Sequence, residues 1–218
     1  AAQAPLREAP SHDAPLLTEA LRGERVAVYD RNEDGWAWGQ LGADGYVGYM
    51  PGATLGATGP AATHKVAALR TFVYPGPSLK RPPTAILSFG SQLAVERVEG
   101  NYAVIAGGGY VPTLHLVPAS ALETDFVAVA ERFVGTPYLW GGKTSIGMDC
   151  SAVVQLALAA CGIPCPRDTD MQEQALGTAL PSPHDLATLR RGDLMFWKGH
   201  VAIVRDAGAT PADIELEL

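Results

Sequence analysis

"GMDCSAVVQLALAACG", residues 147–162, sets a cysteine at the mouth of an apolar, alanine-rich run. The run predicts a buried helix over about 151–160, with Gly162 in the stop position. A thiol at a helix N-terminus sits among unpaired N–H groups, whose partial positive charge favours the thiolate. Those N–H groups can also hold an oxyanion. On these residues alone, Cys150 is equally readable as a half-buried structural thiol, the commoner use of cysteine.

Working outward, "ETDFVAVAERFVG" places apolar residues at 126, 127, 130, 133 and 134, one face of a helix, with Gly135 as its stop. "GDLMFWKGHVAIVRD" gives two apolar runs around Lys198-Gly199, the pattern of an antiparallel hairpin. Helices first and strands after define an α+β domain over residues 121–218. A nucleophilic thiol needs a base. The five histidines are His12, His64, His115, His184 and His200, and only His200 opens an apolar strand, "HVAIV". A capping or core histidine fits that position as well.

The N-terminal half has a different texture. Residues 16–57 carry short alternating runs, "ERVAVYD", "GWAWGQL" and "DGYVGYM", broken by Asp-Gly at 34–35 and 44–45. This predicts a small β-barrel. A turn-rich linker, "GATGPAAT", leads to residues 64–119, where "SQLAVERVEGNYAVIAGGGYVPTLHL" repeats the same sequence of elements. The first half is therefore read as two copies of one barrel, with the Ala/Pro-rich residues 1–15 as a loose leader.

Composition narrows the function classes. The 218 residues are 47% hydrophobic and 18% charged, with a formal net charge of −7. That suits a packed protein and argues against non-specific binding to nucleic acid or to an anionic membrane surface. No apolar run reaches the roughly 18 residues of a membrane span. The N-terminus lacks the basic and apolar regions of an intact secretion signal. Three cysteines, Cys150, Cys161 and Cys165, match neither a disulfide framework nor a zinc signature. These features predict a reducing compartment, the cytoplasm, with periplasm or export as the alternative if a leader has been trimmed.

Three segments together carry a resemblance. "GTPYLWGGKTSIGMDCSAVVQ", "PRDTDMQ" and "LRRGDLMFWKGHVAIV" resemble the NlpC/P60 family of papain-like cysteine peptidases. The family pattern is Tyr-x-Trp-Gly-Gly, Asp-Cys-Ser, Arg-Asp-Ser/Thr, and Gly-Asp-Leu followed by Gly-His-Val. The likeness runs over essentially all of residues 121–205. The two barrels ahead of it resemble bacterial SH3 domains. The combination resembles a subgroup of γ-D-glutamyl-L-diamino acid endopeptidases acting on peptidoglycan stem peptides.

The resemblance implies roles for individual residues. Cys150 would be the nucleophile, His200 its base, and Tyr138 a donor at the oxyanion or to the substrate. Trp140, Gly141 and Gly142 would shape the loop under the groove. Asp149 and Ser151 would line the subsite for the γ-linked D-glutamate. Asp168 would pair with a free L-Ala ammonium; Arg167 beside it would line the substrate site or instead steady the loop, and Thr169 stands where the family often has Ser. Glu24 and Tyr46 or Tyr49 of the first barrel would close one end, favouring free peptides of the L-Ala-γ-D-Glu-diaminopimelate type, as in murein peptide recycling. Neither metal nor organic cofactor is implied. The family also expects a polar residue, usually His, about a dozen positions after the base, where this sequence has Ala212. The catalytic domain is therefore expected to be incomplete at its C-terminus. The competing reading is a cell-wall-peptide-binding protein whose catalytic domain is impaired.

Overall fold

Alternation in "QAPLR" places Ala4 and Leu6 on one side of an extended chain, and the computed structural model makes that segment a strand. The structure describes residues 1–180 and 188–206. The chain divides into two compact units, Ala1–Ala121 with Trp140–Ile146, and Leu122–Leu139 with Gly147–Leu218.

The first unit opens with five strands: β1 (Gln3–Arg7), β2 (Leu16–Leu21), β3 (Val26–Arg31), β4 (Trp36–Leu41) and β5 (Val47–Pro51). They form one sheet in the order β2-β1-β5-β4-β3. Residues 1–15 are thus not a loose leader throughout. β1 pairs antiparallel with β2, and Ala4 and Leu6 join Ala20, Ala37, Leu41 and Met50 in an apolar cluster. The Ala/Pro-rich composition hid this strand. β1 meets β5 only at Arg7↔Tyr49, so Pro5 faces no continuous ladder on that side.

Eight shorter strands follow: β6 (His64–Val66), β7 (Arg70–Val73), β8 (Ala85–Ser88), β9 (Gln92–Leu93), β10 (Val95–Glu99), β11 (Tyr102–Ile105), β12 (Tyr110–Pro112) and β13 (Leu116–Pro118). They split into three small sheets, β10-β11-β12, β13-β6-β9 and β7-β8. Val66, Val73, Leu87, Leu93, Ile105 and Val111 make a second apolar cluster. β3-β4-β5 and β10-β11-β12 are both antiparallel meanders. Each exits through a proline, Pro51 or Pro112, into a short 3-10 turn. Strand β14 (Lys143–Thr144) also belongs to the first unit.

The second unit contains α1 (Phe126–Glu131), β15 (Gly147–Met148), α2 (Cys150–Ala160), α3 (Thr169–Ala175), β16 (Leu194–Trp197) and β17 (His200–Ile203). The Asp125 carboxylate caps α1, accepting from Val127 N and Ala128 N. α1 is shorter than its apolar spacing predicts. It buries Val127 and Val129, and Phe133 beyond it, while Val134 is 76% exposed because the helix has already ended. α2 is apolar all round and accordingly buried along most of its length. It closes as expected. Gly162 takes a left-handed φ of 76°, with Gly162 N donating to Ala159 O and Ile163 N to Leu158 O.

β16 and β17 pair antiparallel from Leu194↔Ile203 to Trp197↔His200 across the Lys198-Gly199 turn. α2 packs on β17, and Val154, Leu158 and Val201 form the core between them. Among the described residues no helix is long and apolar enough to cross a membrane.

Candidate active site

Cys150 is the first residue of α2, and its neighbours explain why the helix starts there. Asp149 takes the N-cap position, its Oδ1 accepting from Ala152 N at 2.9 Å and from Ser151 Oγ at 3.1 Å. Arg167 lies in the loop between α2 and α3, after "IPCP", where Pro164 and Pro166 restrict the backbone. Its side chain is buried, with the residue 2% exposed. Its Nη1 donates to Asp149 Oδ1 at 2.9 Å and to Ser151 Oγ at 2.7 Å, and its Nη2 to Asp149 Oδ2 at 2.7 Å. Gln172 of α3, also buried, donates from Nε2 to Ser151 O and Pro166 O, both at 2.9 Å. Asp149, Ser151 and Arg167, expected along a substrate subsite, are brought together as one buried network around Cys150.

The thiol itself is half-buried and packs against the Val154–Leu158–Val201 core. Its Sγ lies 3.9 Å from Thr169 Oγ1, the first residue of α3. Tyr138 forms a backbone bridge with Met148, two residues before Cys150, and its phenol feels the charge at the thiol. Burial of the phenol, then the negative charges available at Cys150 and Asp149, push the Tyr138 pKa up to about 12, with Arg167 opposing. The residue as a whole is 39% exposed, but two acidic neighbours act in the same direction as burial. Tyr138 therefore keeps its O–H across the neutral range, as a hydrogen-bond donor must.

His200 opens β17, its ring 6.0 Å from that of Trp197. Its Nε2 is buried and has no hydrogen-bond partner among the described residues. Unpaired buried polar atoms are few in native proteins, and a catalytic role is one reason they persist. Asp168 occupies the N-cap position of α3, where its backbone carbonyl accepts from Gln172 N at 2.9 Å and its side chain makes no cap bond. The expectation at Ala212 lies outside the described residues.

The other predicted residues belong to the first unit. Trp140 is 67% exposed. Gly141 has φ 75°, and a Cβ there would run into the Leu16 carbonyl, so only glycine fits. Lys143, which the sequence reading passed over, is buried and ties this loop down. Its N–H donates to Glu19 Oε2 at 2.8 Å and its Nζ to Glu24 Oε1 at 2.9 Å. Glu24 also accepts from Leu21 N through Oε2 at 2.8 Å, so both its oxygens are engaged inside the unit. Tyr46 packs against the first apolar cluster, and Tyr49 lies 4.7 Å from Trp38, ring to ring. A cavity of about 780 Å³ in this unit, lined by Arg22, Arg31 and Gln92 among others, includes none of the residues around Cys150.

A thiol heading a buried helix, with a phenol electrostatically linked to it and an imidazole opening the strand packed against that helix, has the parts of a cysteine hydrolase site. Comparison with known proteins agrees. Residues 135–210 match the profile of the NlpC/P60 family, whose members are cysteine peptidases and hydrolases, and residues 6–55 match the bacterial dipeptidyl-peptidase SH3 domain. The chain carries an NlpC/P60 family domain over residues 135–210 and a bacterial SH3 domain ahead of it over residues 6–55.

Among curated relatives, the γ-D-glutamyl-L-lysine dipeptidyl-peptidase of Bacillus subtilis (strain 168) is 30% identical over 188 residues, covering 84% of this chain and 60% of the relative. The protein of the same name from Bacillus cereus is 28% identical over 207 residues, with the same coverage of 84% and 60%. The chain thus spans about 60% of the length of these two relatives. The crystal structure of an NlpC/P60 family protein from Bacillus cereus ATCC 10987 superposes with a TM-score of 0.77 at 22% identity, covering 94% of this chain and 86% of that one. That likeness shows a shared fold.

Proposed function

We propose that the protein is a cysteine endopeptidase that hydrolyses the γ-D-glutamyl–diamino acid amide of peptidoglycan stem peptides, those with a free N-terminal L-Ala, in murein peptide recycling. The observation that carries this reading is Cys150 at the head of α2, with the Tyr138 phenol electrostatically linked to it and His200 on the strand packed against α2. Cys150 Sγ attacks the amide carbonyl carbon while its proton passes to His200. The first N–H groups of α2 and the Tyr138 hydroxyl face the oxyanion that forms. His200 returns the proton to the departing amine, leaving a thioester. Water then adds to the thioester carbon, gives a proton to His200, and the thiol leaves as the γ-carboxylate forms.

Asp168 is assigned to the substrate's ammonium group, since a carboxylate offsets the desolvation of a cation. The names of the relatives support a γ-D-glutamyl bond and place L-lysine after it, so lysine and diaminopimelate are both candidates for the leaving residue. Residues 64–119 are read as a second SH3-like barrel, supported by the repeated meander and its own apolar cluster.

The test is product analysis by mass spectrometry on L-Ala-γ-D-Glu-L-Lys and L-Ala-γ-D-Glu-diaminopimelate. The dipeptide L-Ala-γ-D-Glu and the free diamino acid are expected, and both should vanish in Cys150→Ala. Full turnover by Cys150→Ala overturns the reading, and peptide binding without any turnover replaces it with the impaired, peptide-binding alternative.

A further inference from the structure

An aspartate immediately before a nucleophilic cysteine poses an electrostatic problem. The Asp149 carboxylate that caps α2 places a negative charge one residue from the sulfur at which negative charge must develop during attack. Capping by a neutral Ser or Asn would avoid the conflict. Arg167 bears on this directly. Its guanidinium faces the carboxylate with two parallel bonds, Nη1 to Oδ1 at 2.9 Å and Nη2 to Oδ2 at 2.7 Å, and a third bond reaches Ser151 Oγ at 2.7 Å. The pair is deeply buried, with side chains 1% and 10% exposed, so solvent screens it little.

We propose that Arg167 is a positioning residue that cancels the charge of Asp149, letting this carboxylate cap α2 without repelling the Cys150 thiolate, while holding Asp149 and Ser151 on either side of it. The proposal rests on Cys150 being the nucleophile. It differs from a role for Arg167 in holding substrate, because the guanidinium is buried and committed to the residues that flank the thiol. Gln172 supports the arrangement by fixing Ser151 O and Pro166 O, the carbonyl just before Arg167.

The elements packed on α2, and the loops at its ends, carry the following charged and titratable groups. The loop before it brings Tyr138 and Asp149, and the loop after it brings Arg167 and Asp168. β17 brings His200, and α3 brings the Thr169 hydroxyl together with the exposed Asp170. On α1, Glu131 pairs with Arg191 and Arg205. Of these, the Asp149–Arg167 pair flanks the thiol most closely in sequence and is the one a substitution can unbalance in either direction.

The test is the pH dependence of Cys150 alkylation by iodoacetamide, followed on the Cys150 peptide by mass spectrometry so that Cys161 and Cys165 do not interfere. Arg167→Met leaves Asp149 uncompensated, and the alkylation midpoint is expected to rise by about 1 pH unit. Asp149→Asn leaves a buried cation, and the midpoint is expected to fall. The double variant carries neither charge and returns close to the parent. Arg167→Lys keeps the charge and loses the fork, so its midpoint stays near the parent while kcat drops.

A merely structural role predicts no such opposed pattern. Midpoints that do not move, or that move the same way in Arg167→Met and Asp149→Asn, overturn the proposal. Should Arg167→Met fail to fold, a midpoint that does not fall in Asp149→Asn overturns it alone. The alkylation readout does not depend on hydrolysis. Turnover by Cys150→Ala would therefore sink the functional reading without being mistaken for failure of this one.

Discussion

Two buried ion pairs, one in each unit, anchor the segments that carry the family motifs, and they are built with different cations. In the first unit Lys143 Nζ meets Glu24 Oε1 at 2.9 Å, joining residues 119 apart in the chain. In the second, Arg167 grips Asp149 with a bidentate fork across 18 residues. A lysine ammonium fixes a point, and its role here is to tie the Trp-Gly-Gly loop to β2 and the turn after it, helped by Glu19 on the Lys143 N–H. An arginine fork fixes a plane, which suits holding two flanking side chains in register about a thiol. On the proposal above, the lysine pair serves folding and the arginine pair serves chemistry.

The largest effect should come from the second unit. His200→Ala removes the proposed base, and kcat is expected to fall by at least about 10⁴-fold, measured on either tripeptide, with the melting temperature little changed. In the first unit, Lys143→Met leaves Glu24 buried without its cation. Unfolding should then be easier by about 3–5 kcal/mol in urea titration, while the Cys150 alkylation midpoint stays put. Recovery of most of that loss in Lys143→Met/Glu24→Gln would confirm that the unpaired charge, not lost packing, is responsible. If Lys143→Met moved the alkylation midpoint as far as Arg167→Met does, the contrast between the two pairs would collapse.

Tyr138 gives a smaller effect with a definite sign. A phenol raised from 10.0 to about 12 is protonated in the folded state where the unfolded chain has already lost its proton. That contribution to stability is complete below pH 10 and lost as pH rises through about 12. Ultraviolet titration should show a tyrosinate step near pH 12 that is missing in Tyr138→Phe. Loss of the donor should lower kcat by about 10²-fold. Smaller still, Ser151→Ala removes one acceptor of Arg167 Nη1 and should cost about 1–3 kcal/mol in thermal unfolding.

The parts of this account that rest on local periodicity were legible in the sequence. α2 with its Gly162 stop and the 194–203 hairpin around Lys198-Gly199 were expected where they stand, because apolar spacing and turn residues act within a few positions. β1 was missed because an Ala/Pro-rich composition masks alternation, and the sheet that stabilises it is assembled from residues further along the chain. Val134 was placed in a helix face that ends too early to use it. The thiol, the imidazole and the phenol were named from motifs. The motif roles assign Asp149 and Ser151 to substrate and leave Arg167 between substrate and a loop-steadying role. That these three bond to one another depends on folding α3 and its Gln172 back onto α2, which no spacing announces. Likewise, only the folded first unit shows Glu24 engaged by Lys143.

The most direct test of the central claim is to trap the acyl-enzyme. Acid quench during turnover of L-Ala-γ-D-Glu-L-Lys or its diaminopimelate counterpart, followed by peptide mass spectrometry, should find an L-Ala-γ-D-glutamyl group in thioester linkage on Cys150. Turnover with the acyl group on another residue, or undiminished in Cys150→Ala, would contradict it.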